Sequence, residues 1–350
     1  MLSALRVAGL IIGVGLLIAA VLTGRRGGNR SGLALMATVG LALIVVSIAP
    51  DVVVPLQDLL GLSGAPTGRI TTVIVISVIV AYLLIVYLVS KTERVSQRVG
   101  RLIRALSAAQ LEVHELGEHI GGILVVIPAY NEAEALPQTL GQIPKTVAGL
   151  PTRVLVVDDA SRDGTRETAI ASGAHVVTHP VNGGGGAALQ TGYLVAERLG
   201  AEVVVTIDAD GQHDPSEMER LVAPIVAGDA DFVTGSRRSG SFERETGVDG
   251  MARHLGVSIY SRLVNLLVGT DLTDVSNGYR AIRASRLQEL VFTEEQFHNP
   301  ELLLGARRAG LRIVEVPVTI HRRRAGRSKK GGTLRYGFGF LRVVFRSWLR

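Results

Sequence analysis

The chain has 350 residues, of which 47% are hydrophobic and 19% charged, and its mean hydropathy is +0.34. This balance is too apolar for an ordinary soluble enzyme and excludes a disordered chain. The chain has no cysteine, which excludes disulfide frameworks, cysteine-based zinc sites and cysteine nucleophiles. Its length suits about two domains of roughly 150 residues each.

The net charge of +6 is unevenly distributed. Residues 119–321 carry 17 basic and 25 acidic residues, whereas residues 322–350 carry ten basic residues and no acidic one. A basic segment beside an acidic body predicts an anionic partner, such as a membrane surface or a phosphate, rather than nucleic acid.

Three uncharged runs open the chain: Val7–Thr23, Gly32–Pro50 and Ile70–Ser90, of 17, 19 and 21 residues. A bilayer core of about 30 Å needs about 20 apolar residues in a helix. The runs therefore predict a domain of three transmembrane helices over residues 1–91. A cleaved signal peptide is the alternative for the first run, but a second apolar run follows almost at once.

Basic residues lie between the first two runs and again after the third, whereas the loop 51–69 has two aspartates and only Arg69. The positive-inside rule predicts a multi-pass protein of the cell membrane, with its amino terminus outside and everything after residue 90 in the cytoplasm.

Two amphipathic helices are predicted outside the main domain. Residues 92–119 place apolar side chains at helical spacing among charges, and this connecting helix would lie either on the membrane or on the next domain. In residues 334–350 an arginine recurs every four residues beside an apolar face that includes Trp348. That pattern predicts a helix in the membrane interface, with packing on the core of the domain as the alternative.

From residue 121 short β-rich runs alternate with helical stretches. The predicted strands are Ile123–Ile127, Arg153–Val157, Ala174–Thr178, Glu202–Ile207 and Asp231–Thr234. Such alternation predicts an α/β fold with a mainly parallel sheet covered on both faces and ligands at the carboxyl ends of the strands.

Polar residues follow four of these strands directly. They are the segments Pro128–Glu132, Asp158–Thr165, Asp208–Pro215 and Gly235–Arg237. Because the carboxyl ends of parallel strands share one edge of a sheet, we expect the four segments to converge on one crevice.

Asp208 and Asp210 form the predicted chemical centre. Two carboxylates so close together repel each other unless a cation lies between them. Oxygen ligands favour Mg²⁺ or Mn²⁺, which complete their shells with phosphate oxygens and water. An ordinary turn is the alternative for Asp208–Gly211 taken alone, and helix capping for the segment after Asp158.

Together with Ser276–Arg280 and Gly326–Lys329, these motifs resemble family 2 glycosyltransferases with the GT-A fold, a Rossmann-like mixed sheet that binds nucleotide-diphospho-sugars. The series is similar to the dolichol-phosphate mannose synthase group of polyprenyl-phosphate glycosyltransferases. The resemblance covers residues 121–330, so the predicted domains are 1–91, 92–119, 120–333 and 334–350.

The resemblance implies a role for each matching residue. Asp208, Asp210 and Gln212 would bind the metal, and Asp208, Asp210 and Arg237 would be the catalytic residues. The nucleotide sugar would be held by Pro128, Tyr130, Glu132, Val157, Asp159, Ala209, Arg323 and Lys329. The acceptor phosphate would be held by Arg237, Arg253, Ser261 and Arg262, near a helix over Met251–Gly269.

Two further segments are less specific. Asn182–Ala188 formally matches a dinucleotide-binding fingerprint, but it follows the third predicted strand rather than the first. The stretch resembles an Asn-x-Gly-Lys-Gly segment of the family, but this chain has no lysine there. His298 and Glu301 share a helical spacing, and Glu301 is placed by the resemblance near the acceptor.

The resemblance implies an enzyme, a membrane-anchored inverting hexosyltransferase that moves a sugar from a GDP- or UDP-linked donor to a polyprenyl or dolichyl phosphate. Its partners would be the donor, the acceptor and the lipid bilayer, and its oligomeric state stays open. One alternative is a polysaccharide or glycolipid synthase, but processive synthases carry a Gln-x-x-Arg-Trp segment and later spans. The other is a non-catalytic membrane scaffold.

Overall fold

The computed structural model describes residues 4–25, 30–59, 68–110, 121–240, 261–267, 269–290 and 298–321. The chain divides into two compact units, Met1–Arg94 and Val95–Arg350. The predicted helix over residues 334–350 and the end of the predicted connecting helix lie outside the described residues.

The first unit is helical. It contains α1 (Ala4–Arg25), α2 (Arg30–Ile48), a 3₁₀ turn (Pro50–Val53), α3 (Val54–Leu59) and the start of α4 (Gly68–Gln110). A Cβ atom on Gly13 would lie 2.8 Å from the carbonyl oxygen of Gly40, so glycine permits the close approach of α1 and α2.

The helices α1 and α4 contain the first and third uncharged runs, and α2 contains the second run up to Ile48. The helix α4 continues without a break into the predicted connecting helix. Within the ranges described, no helix combines the length and the apolar character needed to cross a membrane. The three predicted membrane spans are therefore not supported.

The second unit is built on one mixed sheet of eight described strands. They are β1 (Ile123–Ala129), β2 (Thr146–Val147), β3 (Leu150–Asp158), β4 (His175–Thr178), β5 (Val203–Thr206), β6 (Phe232–Ser236), β7 (Arg280–Arg283) and β8 (Ile313–Pro317). The order is β2-β3-β1-β5-β7-β6-β8, and β4 also pairs with β3.

The direction of the strands brings the motifs to one edge. β4, β3, β1 and β5 run parallel to one another. β7 lies antiparallel between β5 and β6, so β6 runs in the same direction as β5. The carboxyl ends of β1, β3, β5 and β6 and the amino end of β7 consequently share one edge.

Helices cover both faces of this sheet. They are α5 (Leu136–Gly141), α6 (Thr165–Ala171), α7 (Gly185–Arg198), α8 (Met218–Val226) and α9 (His298–Arg308). Alternate residues of β1 point to opposite faces, so Leu124 joins a core with α7 and α9, and Val125 joins a core with α8. The sheet is buried on both sides, as the apolar runs predict.

The five predicted strands are confirmed, whereas β2, β7 and β8 were not predicted. β7 begins with Arg280, which is almost fully buried, and a buried charged residue hides the apolar pattern by which strands are predicted. The strand β8 is half-buried, contains Glu315 and ends at Pro317, so it too lacks the apolar pattern by which strands are predicted.

Candidate functional site

The polar segments that follow the strands meet at the shared edge of the sheet, as predicted. The amide of Asp159, after β3, donates to the carbonyl oxygen of Ala129 at the end of β1 over 2.8 Å. The Asp208 carboxylate, after β5, lies against Gly278, which precedes β7. Arg237, after β6, contacts Ser276 from the same segment as Gly278.

Asp208 and Asp210 have different surroundings. The side chain of Asp208 is half-exposed, whereas Asp210 is buried and its Oδ1 accepts from the backbone amide of Gln212 over 3.1 Å. Gly211, between Asp210 and Gln212, adopts φ +70°, a conformation that glycine takes without strain and that closes this turn. One carboxylate is thereby oriented by the backbone while the other stays open to the crevice.

The backbone of Gly278 forms a wall beside Asp208. A Cβ atom at position 278 would lie 3.0 Å from Oδ1 and 3.2 Å from Oδ2 of Asp208. The carbonyl of Gly278 accepts from the Thr206 hydroxyl over 2.8 Å, which fastens this wall to β5. The glycine of the Ser276–Arg280 motif therefore permits this close approach, since a side chain at position 278 would force the carboxylate or the segment to shift.

The donor set at this edge fits a divalent cation. Asp208 and Asp210 provide carboxylate oxygens, and the Gln212 Nε2 donates to the carbonyl of His321 over 3.2 Å, so the amide oxygen of Gln212 is the atom that would face a cation. Across the described part of the chain, three or more His, Asp or Glu side chains do not gather as a metal site. Two carboxylates suit Mg²⁺, which takes its other ligands from water and substrate phosphates.

The sequence motifs do not single out His213, which lies beside Asp208. Its buried Nε2 lies 3.7 Å from Oδ2 of Asp208, and its ring centroid is 5.1 Å from that of Tyr279. The imidazole packs behind the open carboxylate and restricts where Asp208 can point. The sequence signal that could have identified His213 is its position in the polar segment Asp208–Pro215, which follows β5.

Arg237 is held firmly by its neighbours. Its Nε donates to Oδ2 of Asp274 over 2.5 Å, and its Nη2 donates to Oδ1 over 3.1 Å. The same Nη2 donates to the Ser276 hydroxyl over 2.7 Å. Burial raises the pKa of Asp274, but the charge and hydrogen bonds of Arg237 outweigh it and hold that pKa below its ordinary value. The guanidinium thus has one fixed orientation at the crevice.

Asp159 faces the glycine-rich segment. Its two carboxylate oxygens accept from the amides of Gly183 and Gly184 over 2.9 and 2.7 Å. His179 Nδ1 lies 2.7 Å from the same carboxylate, and its Nε2 lies 2.8 Å from the Thr191 hydroxyl. Asp159 therefore positions the loop at the start of α7, and its predicted contact with a ribose stays a prediction.

The predicted nucleotide-binding wall is arranged around the end of β1. Tyr130 is 36% exposed and Pro128 is half-buried, whereas Val157 and Ala209 are buried in the two cores. The backbone amide of Glu132 donates to the Thr165 hydroxyl over 2.9 Å, which ties this loop to the one after β3. Tyr130 is the member of this group that exposes an aromatic face.

The predicted acceptor side is described only in part. Residues 261–267 are helical; the Ser261 hydroxyl donates to the Thr273 carbonyl over 3.1 Å, and Arg262 is exposed. Arg253, Arg323 and Lys329 lie outside the described residues. The amide of His321, the last described residue, donates to the carbonyl of Gln212, a predicted metal ligand, over 2.8 Å.

Arg280 is buried behind the Ser276–Gly278 segment and contacts residues on both sides of it in the sequence. Its guanidinium donates to the carbonyls of Asn299 and Val275, each over 3.3 Å, and lies over the Phe232 ring. Burial lowers the pKa of Arg280 to about 10, so it remains charged near neutral pH. The Asn299 side chain donates to the Ser276 carbonyl over 2.9 Å, and this contact joins α9 to the segment that faces Asp208.

The comparisons assign this mixed sheet, with paired carboxylates and a fixed arginine at its carboxyl edge, to a glycosyltransferase of the GT-A fold. The family model described as glycosyl transferase family 2 matches residues 124–291. The chain is 37% identical over 221 residues to an undecaprenyl-phosphate mannosyltransferase of Micrococcus luteus, covering 60% of this chain and 88% of that protein. The chain therefore belongs to glycosyl transferase family 2 and is an enzyme, a glycosyltransferase.

Other similar proteins also have names of sugar-transferring enzymes. The chain is 35% identical to a polyprenol monophosphomannose synthase of Mycolicibacterium smegmatis, covering 60% of this chain and 81% of that protein. Among solved structures, glucosyl-3-phosphoglycerate synthase of Mycobacterium tuberculosis with Mn²⁺, uridine diphosphate and glucosyl-3-phosphoglycerate is 25% identical with a TM-score of 0.51. That match covers 69% of this chain and 83% of the other.

Proposed function

We propose that the chain transfers a sugar from a GDP- or UDP-linked donor to a polyprenyl or dolichyl phosphate, with inversion at the anomeric carbon. The observation that carries this proposal is that one short segment, Ser276–Gly278, contacts both Arg237 and Asp208. Arg237 is a cation of fixed orientation, and the carboxylate of Asp208 is open to the crevice. Phosphate groups on both substrates suit such an arrangement. The names of the mannosyltransferase relatives point to the same class of acceptor.

The chemistry requires positioning more than proton transfer. A phosphate oxygen of the acceptor attacks the anomeric carbon, the bond from that carbon to the diphosphate breaks, and the nucleoside diphosphate leaves. The acceptor oxygen is already anionic near neutral pH, so no general base is required. Arg237, oriented by Asp274, holds a phosphate oxygen, and Tyr130 offers a face to the base of the nucleotide.

A divalent metal, Mg²⁺ or Mn²⁺, held by Asp208, Asp210 and Gln212 would neutralise charge on the departing diphosphate. The Asp210 carboxylate is already oriented by the Gln212 amide, so the ligands need little reorganisation. Crystals of the distant relative contain Mn²⁺ together with uridine diphosphate, which supports this assignment.

The test is product formation from labelled nucleotide sugars by membranes that contain the full chain, with and without added polyprenyl phosphate. We expect a lipid-linked monosaccharide that forms only with the acceptor, and a comparison of GDP-mannose, UDP-glucose and UDP-GlcNAc identifies the donor. A long polymer would favour the synthase alternative, and no product with any donor would contradict the proposal.

We also propose that the enzyme is associated with a membrane, with the catalytic unit on the cytoplasmic side. Large apolar side chains are exposed on the first helices, among them Ile11, Ile18, Leu41 and Ile48. Apolar surface of this extent is typical of contact with lipid or protein. Recovery of the full chain in the supernatant, after cells lysed without detergent are ultracentrifuged, would contradict this association.

A further inference from the structure

The second half of α4 carries an apolar stripe that the described part of the catalytic unit leaves uncovered. Val95, Val99, Leu102 and Leu106 are 53%, 49%, 63% and 65% exposed. Their spacings of four, three and four residues place them on one face of the helix. We define this set of four side chains as the α4 stripe.

The opposite face of the same helix is fixed to the catalytic unit. Arg104, Ser107 and Ala108 are buried, and Ala108 belongs to the core that contains α7. The Arg198 guanidinium donates to the Ala108 carbonyl over 3.0 Å. Because this face is packed, the helix cannot turn its α4 stripe inward without losing buried contacts.

The charge beside the α4 stripe has one sign. Residues 95–110 contain three arginines and no acidic residue, and both Arg98 and Arg101 are exposed. An apolar face flanked by basic side chains matches a lipid surface with anionic headgroups. In a pair of such helices from two copies, the arginines would repel one another, which disfavours a second copy as the occupant.

We propose that the α4 stripe lies in the interface of an anionic bilayer, with Arg98 and Arg101 at the headgroups. The sequence left open whether this helix rests on the membrane or on the domain. Since the face with Ala108 packs on the domain, the opposite face, with the α4 stripe, is the one left for the membrane. The lipid contact is independent of the sugar transferred, so inactivity in the transfer assay would leave this proposal standing.

The absence of cysteine from the chain permits a direct test on the full-length protein. Leu102→Cys and Val99→Cys, each labelled with an environment-sensitive fluorophore, report on the α4 stripe. Ser96→Cys, exposed in the same turn but off the stripe, is the matched control. Attachment through other helices does not alter the difference between these neighbouring positions.

With vesicles of phosphatidylglycerol and phosphatidylcholine, we expect emission from labels at positions 99 and 102 to rise at least about twofold more than at position 96, as for an interfacial helix. Quenching by doxyl-labelled lipid should follow the same order. Replacing both Arg98 and Arg101 by glutamine should reduce the difference, and so should vesicles of phosphatidylcholine alone.

Equal emission and quenching at positions 96, 99 and 102 would overturn the proposal. Efficient disulfide formation between two Leu102→Cys chains in detergent without lipid, absent for Ser96→Cys, would also overturn it. That result would assign the α4 stripe to a second copy of the chain. Circular dichroism of each variant confirms that the helix content is retained.

Discussion

Asp210 is the more constrained of the two central carboxylates, since it is buried and accepts from the Gln212 amide. We expect Asp210→Asn to lower kcat by roughly 100-fold or more, because metal stabilisation of transition-state charge is worth several kcal/mol. Initial rates over a range of Mg²⁺ and Mn²⁺ concentrations measure the effect, and circular dichroism checks the fold. Near-normal activity in buffer treated with EDTA would show that the metal assignment is wrong.

Gly278 tests the geometry around Asp208 without a change of charge. In Gly278→Ala the new Cβ would lie 3.0 Å from Asp208 Oδ1, so the carboxylate or the segment must shift by a few tenths of an ångström. We expect kcat/KM to fall by about tenfold, since small displacements of catalytic groups are costly.

Gly141→Ala is the control for this prediction. A Cβ at position 141 meets nothing within 4 Å, and the residue is the last of α5. Equal effects of the two alanine variants on kcat/KM would contradict the role assigned to Gly278.

At the scale of elements, the strand β6 has a buried carboxylate paired with arginine at each end. Asp274 holds Arg237 at its carboxyl end, and Asp231 holds Arg283 and Arg312 at its amino end. Asp274→Asn should free the orientation of Arg237, lower kcat by about tenfold or more and raise the KM for polyprenyl phosphate.

Asp231→Asn serves as the matched comparison because it removes a similar pairing far from the crevice. We expect it to lower the free energy of unfolding by about 1–3 kcal/mol, as for lost charged hydrogen bonds, with little change in either KM. A purely structural role for Asp274 predicts the same pattern in both variants, which denaturant titration and steady-state kinetics together distinguish.

At the scale of the whole molecule, these pairs make stability depend on pH. Hydrogen bonds from Arg312 hold the pKa of Asp231 well below its ordinary value. A carboxylate with a lowered folded-state pKa stabilises the protein fully above its unfolded pKa of about 4, and this contribution is lost as the pH falls below that value.

We therefore expect the difference in Tm between the wild type and Asp231→Asn to be largest near pH 7 and to shrink as the pH falls from about 4. Thermal unfolding followed by circular dichroism from pH 7 to pH 3 measures it. A difference that grows on acidification would contradict the sign of this linkage.

The sequence by itself determined the strands of the parallel half of the sheet and the motifs at their ends. Apolar runs such as Ile123–Ile127 and Glu202–Ile207 have a local signal, and polar residues directly after them must lie at the carboxyl edge. The family resemblance followed from the same local segments, and the roles of Asp208 and Asp210 as metal ligands remain a prediction from them. Buried strands that contain a charged residue, such as Arg280–Arg283, carry no such signal.

Only the tertiary structure decided which partners these residues meet. It placed Gly278 against Asp208, Asp274 against Arg237 and the glycine-rich loop against Asp159. These contacts join positions that are 24 to 70 residues apart along the chain. Which residues meet depends on strand register and on the antiparallel insertion of β7 between β5 and β6. Local periodicity in the sequence contains no information about either.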